Sequence, residues 1–124
     1  MRILITGSRD WTDRSAIIGS IAQVGEKSGV LPQDVTIVHG HCPTGADAIA
    51  DEMAHALGCQ IERHPADWAT HGKAAGPIRN AHMVSLGADI CLAFPLGASR
   101  GTRNCMRMAR NAGIPVVEYE VSAP

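Results

Sequence analysis

Three stretches of this 124-residue chain repeat one plan: an apolar run, then glycine with small polar residues, then a helix-like pattern. They are Ile3-Leu4-Ile5-Thr6-Gly7-Ser8-Arg9, Thr36-Ile37-Val38-His39-Gly40 running to Gly45-Ala46-Asp47, and Ile90-Cys91-Leu92-Ala93-Phe94-Pro95 running to Ser99-Arg100-Gly101-Thr102. A strand that ends in glycine and feeds a helix fits a parallel sheet with helical crossovers. In such a sheet all three turns fall on the carboxyl edge of the strands. Helix N-termini and bare backbone N–H groups converge there, so a phosphate-bearing ligand is the natural occupant.

The rest of the chain supports that plan. Strands are expected over residues 2–6, 35–39, 60–64, 90–94 and 116–119. Helices are expected over residues 13–27 and 46–57, from Pro77 to just before Gly87, and over 102–112. The first carries Ile17, Ile18, Ile21 and Val24 on one face behind a capping Asp13. The second carries Ala46, Ile49, Ala50, Met53 and Leu57 and stops at Gly58. The third opens with proline, which suits the first helical position, and the fourth closes at Gly113. Residues 65–76 read as a long loop and 121–124 as a frayed end. Five short strands separated by helices imply a doubly wound, Rossmann-like α/β/α domain with a parallel sheet. The length suits a single domain, residues 1–124.

Composition narrows the setting. No apolar run approaches the roughly 18 residues that span a bilayer. The apolar start is too short for a signal peptide and reads as a buried strand. Cys42, Cys59, Cys91 and Cys105 form no Cys-x-x-Cys pair, so reduced thiols in a cytoplasmic protein are expected. A formal charge of −1 argues against a general nucleic-acid surface, although Arg100, Arg103, Arg107 and Arg110 crowd one stretch.

Each turn has its own chemistry. Gly7 lets the chain turn sharply and a ligand approach its backbone. Ser8 adds a hydroxyl and Arg9 a planar charged fork, which together suit phosphate or carboxylate; the plainer reading is a tight turn with Arg9 in solvent. The segment from Gly40 to Asp47 is neither a Walker loop nor Gly-x-Gly-x-x-Gly. It puts Gly45 and Ala46 at the positive end of a helix dipole. Asp47, in the first turn, is either a favourable helix-start acid or an acceptor for ligand hydroxyls and amines. His39, His41 and Cys42 alternate as metal ligands can, but no Cys or His pair at zinc spacing accompanies them, and no metal is expected.

The long loop carries Asp67 and Trp68, then Gly72-Lys73-Ala74-Ala75-Gly76-Pro77-Ile78-Arg79-Asn80. Arg79 in the first turn of a helix opposes the dipole, which calls for an anion: a ligand phosphate or a carboxylate such as Asp67. Trp68 reads equally as a stacking platform for a base and as loop packing. Ser99, Gly101 and Thr102 can present hydroxyls and N–H groups to a phosphate at the start of the last helix. Arg103, Arg107 and Arg110 recur along that helix as a solvated face or as a contact for an acidic partner.

On these residues the chain resembles the SLOG superfamily, the Rossmann-like group that includes the cytokinin-activating LOG enzymes and the Smf/DprA DNA-processing proteins. Within it, the chain is most similar to the YspA/YpsA-related branch. The resemblance covers nearly the whole chain. It rests on Gly7-Ser8-Arg9, Gly40 with Gly45-Ala46-Asp47, Pro65-Ala66-Asp67-Trp68, the run from Gly72 to Asn80, and Ser99 with Gly101-Thr102. It implies strand order 3-2-1-4-5 and a pocket for a nucleotide or nucleotide derivative. The candidate ligand set is Gly7, Ser8, Arg9, Gly40, Gly45, Ala46, Asp47, Asp67, Trp68, Arg79, Asn80, Ser99, Gly101 and Thr102. No separate cofactor or membrane partner is implied, and a homodimer is admitted.

One departure decides the expected activity. LOG-type enzymes carry Pro-Gly-Gly-x-Gly-Thr-x-x-Glu, and the glutamate helps cleave an N-glycosidic bond. Here that position is Cys105. Binding without efficient turnover is therefore expected, as in a sensor or sequestering module. Two alternatives stand beside it. One is an N-glycoside hydrolase in which Asp47 or Asp67 replaces the glutamate. The other is single-stranded nucleic-acid binding, supported by the arginines and weakened by the neutral charge and scarce aromatics.

Overall fold

Along β1 (Arg2–Gly7), Ile3 and Ile5 belong to one core layer and Leu4 to the other, the alternation of a strand buried on both faces. The computed structural model describes residues 1–120, and the fraying expected over residues 121–124 lies outside them. β1 pairs in parallel with β2 (Thr36–His39) on one side and β4 (Ile90–Phe94) on the other, so Ile3 faces both Ile37 and Ile90. β3 (Gln60–Arg63) and β5 (Val116–Glu118) complete a sheet of order β3-β2-β1-β4-β5, all parallel. This is the expected Rossmann-like α/β fold.

Two helices cover each face. α1 (Arg14–Ser28) and α2 (Gly45–Leu57) pack Ile17, Ile21, Ile49 and Ala50 onto Ile3, Ile5 and Ile37. Asp13 caps α1 by accepting the Ala16 N–H at 3.1 Å. Trp11 joins this layer with its ring edge-on to Phe94, 5.2 Å between centroids, while its indole N–H donates to the Asp13 carbonyl. On the opposite face α4 (Ala75–Ser85) and α5 (Arg100–Asn111) pack Met83, Cys105 and Ala109 onto Leu4, Val38 and Cys91. Among the described residues no helix is long and apolar enough to cross a membrane.

The expected loop over residues 65–76 is instead mostly helical. Asp67 accepts the Thr70 N–H at 3.1 Å and caps a one-turn helix, α3 (Trp68–His71). A 3₁₀ turn, Gly72–Ala74, leads directly into α4. Pro77 is therefore the third residue of its helix, not the first. Its missing N–H still falls among the first four donors, which have no acceptor within a helix. Arg79 consequently lies beyond the first turn, and opposition to the dipole does not explain its place.

Candidate functional site

The three glycine-bearing turns meet in a cleft of about 1290 Å³ at the carboxyl edge of the sheet. Small-molecule sites are commonly roughly 300–1,000 Å³, so there is room for an extended ligand. The strand order reverses beside it, between β1 and β4, the usual place for a ligand in such sheets. Of the residues expected from sequence, Gly7, Ser8, Arg9, Gly40, Asp47, Trp68, Arg79, Asn80, Ser99, Gly101 and Thr102 line this one cleft. Gly45, Ala46 and Asp67 do not.

Those three act from behind the lining. Gly45 has φ +72°, and a Cβ there would overlap the Ser8 carbonyl and the Arg9 backbone. The Ala46 N–H donates to the Ser8 carbonyl at 3.0 Å, and the Thr44 hydroxyl donates to the Arg9 carbonyl at 3.1 Å. The start of α2 thus holds the Ser8-Arg9 turn in place. Asp67 is engaged as the α3 cap, and its bonds to Thr70 hold its carboxyl below the usual range. It helps set Trp68, which stands half exposed at the cleft, with the Arg9 guanidinium 5.7 Å from its ring centre.

Asp47 is buried, only 8% exposed. Its carboxylate accepts the Cys42 N–H at 3.2 Å and has no cation at ion-pairing distance among the described residues. Burial pushes its pKa up, while His39, Arg79 and the N–H groups of Cys42 and Gly40 pull the other way. The cleft therefore contains one desolvated acid.

Arg79 is held by the protein itself. Its Nη1 donates to the Gly40 carbonyl at 2.5 Å and the His64 carbonyl at 3.4 Å, and its Nε donates to Asn80 Oδ1 at 2.8 Å. The guanidinium fills the space where a side chain at Gly40 would begin. Asn80 in turn donates to the Gly101 carbonyl and to Asn104 Oδ1, both at 3.3 Å. The Arg79-Asn80 pair therefore braces the end of β2, α4 and the start of α5 against one another. Among the described residues Nη2 has no acceptor.

Ser99 (φ 40°) and His41 (φ 57°) are the two non-glycine residues with positive φ among those described, and both line the cleft. Backbone strain of this kind concentrates at functional positions. Ser99 does not cap α5; its hydroxyl donates to the Thr102 hydroxyl at 2.9 Å. The first turn of α5 contains no acid, so its positive end is uncompensated. Cys105 lies behind this turn, fully buried and outside the cleft lining. Burial pushes its thiol pKa up, with a Thr6 hydrogen bond acting in the opposite direction. A buried thiol thus occupies the position that the resemblance aligns with the LOG glutamate.

Sequence reasoning missed a network beside Asp47 that runs from the buried His39 through the partly exposed Asp51 to the exposed Arg63. His39 Nδ1 accepts the His41 N–H at 2.9 Å, which leaves the ring proton on Nε2, 2.8 Å from Asp51 Oδ2. Asp51 also accepts from Arg63 at 2.7 and 3.1 Å; Arg63, then His39, holds its carboxyl below the usual range. The spacing of Asp47 and Asp51, four residues apart on one helix face, was a usable signal. Ligand atoms of His39, His41 and Asp51 lie within 4.8 Å of one another, but both ring nitrogens of His39 already have hydrogen-bond partners.

A doubly wound sheet with a ligand-sized cleft at its switch point defines a broad class of α/β proteins. Within it, the family model described as the YspA, cpYpsA-related SLOG family matches residues 1–71. The Gene 61 protein of Mycobacterium phage D29 is 50% identical over 123 residues, covering 95% of each chain. The chain belongs to the YspA/cpYpsA-related SLOG family. Two crystal structures of the C-terminal domain of the PF1911 hydrogenase from Pyrococcus furiosus resemble it in fold, each with TM-score 0.50 and 20% identity. These matches cover 95% and 94% of this chain, and 90% and 89% of the respective neighbours. Family and fold together are consistent with a nucleotide-related function.

Proposed function

We propose that the chain binds a nucleotide, or a phosphate ligand derived from one, in this cleft, and that it works as a sensor or sequestering module. One observation carries the reading. The uncapped start of α5, with the Ser99 and Thr102 hydroxyls, faces the same cleft as the Ser8-Arg9 turn. A helix start with no acid and no cap favours an anion. Trp68 offers an aromatic face to a base, and Asp47 offers an acceptor to a hydroxyl or amine. The four cysteines are free, which fits a reducing, cytoplasmic setting. Native mass spectrometry of protein purified from cells should retain a nucleotide-sized mass. No retained mass, together with no calorimetric heat from nucleoside mono-, di- and triphosphates, would overturn the reading.

A second reading, cleavage of an N-glycosidic bond, is favoured by Asp47 alone. A buried carboxyl with a raised pKa inside a cleft is suited to giving or taking a proton. Chromatography for free base after incubation with nucleoside monophosphates separates the two. Release approaching roughly 1 per second, abolished in Asp47→Asn, would make the chain an enzyme.

A further inference from the structure

Four of the eleven lysines and arginines pair with carboxylates: Arg2 with Glu62, Arg14 with Glu52, Arg63 with Asp51 and Arg103 with Glu118. The other seven have no carboxylate at ion-pairing distance among the described residues. Five of those seven, Arg9, Lys73, Arg79, Arg100 and Arg107, line the single cleft described above. Only Asp10 and Asp47 oppose them within it. The chain as a whole carries a formal charge of −1, so the cleft is a local concentration of unneutralised cations. Gathering like charges is unfavourable unless an anion joins them.

The number of charges sets the ligand. A phosphate monoester carries about −1.5 to −2 at neutral pH, too little to balance five cations opposed by two acids. Arg100 and Arg107 are exposed and two helical turns apart on one face of α5. Arg103 between them is held by the Gly97 and Ala98 carbonyls and by Glu118, and forms part of the wall. We infer that the cleft selects a ligand with at least two phosphates, a nucleoside di- or triphosphate or a comparably phosphorylated derivative, with Arg100 and Arg107 holding the outer phosphate. This rests on the reading of the cleft as a nucleotide site and adds the phosphate count to it.

The test is calorimetry on the full chain with inorganic phosphate, pyrophosphate, AMP, ADP, ATP and a short single-stranded oligothymidylate. ADP should bind about tenfold or more tightly than AMP, and pyrophosphate should exceed phosphate by a similar factor. The double variant Arg100→Ala/Arg107→Ala should erase most of the ADP preference. Arg110→Ala removes a cation of the same helix that lies outside the cleft and has no carboxylate partner among the described residues, and should keep the preference. Equal affinity for AMP and ADP, with phosphate matching pyrophosphate, overturns the inference while the nucleotide reading stands. Pyrophosphate preference without added affinity from any nucleoside keeps the phosphate count and overturns the nucleotide reading. Tight oligothymidylate binding without an ADP preference overturns both in favour of a nucleic-acid backbone. An equal loss in Arg110→Ala reduces the effect to general charge and also overturns the inference.

Discussion

Asp47 combines a structural cost with a functional use. The fold raises its pKa chiefly by burial, so folding penalises the ionised carboxyl more than the protonated one. The sign follows: its contribution to stability is full below the ordinary aspartate pKa of about 3.9 and is lost as pH rises through the raised folded value. Asp47→Asn keeps an oxygen to accept the Cys42 N–H and removes the charge. The variant should melt higher than the parent at neutral pH, with the difference closing toward pH 3.5–4. Its affinity for a nucleotide should fall if the carboxylate accepts a ligand hydroxyl. Thermal melts across pH and calorimetry at pH 7 check the two halves separately; an Asn variant that melts lower at neutral pH would show that the ionised form holds the Gly40–Cys42 turn. The position of Asp47 in the site was legible from its place at a helix start. Its burial was not, because that depends on the turn before it folding over the side chain. Arg79 shows the same limit: its membership was legible, but its bonds to two carbonyls come from chain segments far away in sequence.

At the scale of elements, the start of α2 sets the Ser8-Arg9 turn through Gly45. Alanine there meets a left-handed backbone, costing about 1–3 kcal/mol, and in addition a Cβ overlap with the Ser8 carbonyl. Gly58, the α2 C-cap, also has positive φ (82°) but open space around its missing Cβ. Gly45→Ala should therefore lower the urea midpoint more than Gly58→Ala and also weaken nucleotide binding; equal losses would mean that the contact with the turn contributes nothing. The edge strand β3 gives a pH prediction. Arg2, then His64, holds Glu62 down to about 2 from an ordinary value near 4.5. A lowered pKa stabilises the fold above the unfolded value and is lost as pH falls, here between about 4.5 and 2. The pair is partly exposed, which limits its size. Glu62→Gln should flatten the acid limb of stability measured by urea titration between pH 5 and 2. β1, β2 and β4 were legible because burial on both faces leaves apolar runs bounded by glycine or turns, whereas the more exposed edge strands β3 and β5 were marked mainly by the helix stops at Gly58 and Gly113 before them. The short α3 was not, because one turn carries no periodicity and its only mark is the Asp67 cap three residues before Thr70.

Across the whole molecule the charges are unevenly placed, with five cations that lack a carboxylate partner among the described residues gathered at the cleft. Which arginines pair with acids depends on tertiary neighbours, so the arginine run of α5 read from sequence only as a solvated face or a contact. The structure divides it: Arg103 is paired, whereas Arg100 and Arg107, in the cleft, have no carboxylate at ion-pairing distance among the described residues. Repulsion among the unpaired cations should destabilise the empty protein, and added salt should relieve part of it. Arg100→Ala/Arg107→Ala should then melt slightly above the parent when both are empty, and gain less from ligand, a stability–function exchange. The cleft draws on β1, the turn before α2, α4 and α5, so a bound nucleotide should stabilise the chain as one unit. At a hundredfold excess over Kd the gain is about 2.7 kcal/mol, a rise in Tm on the order of 10 °C for a domain of this size. The parent should show one cooperative transition that moves whole with ADP. Two transitions, only one of them responding, would break the single-domain reading of residues 1–124. An empty double variant that melts below the parent would mean that Arg100 and Arg107 hold the fold together, not a ligand.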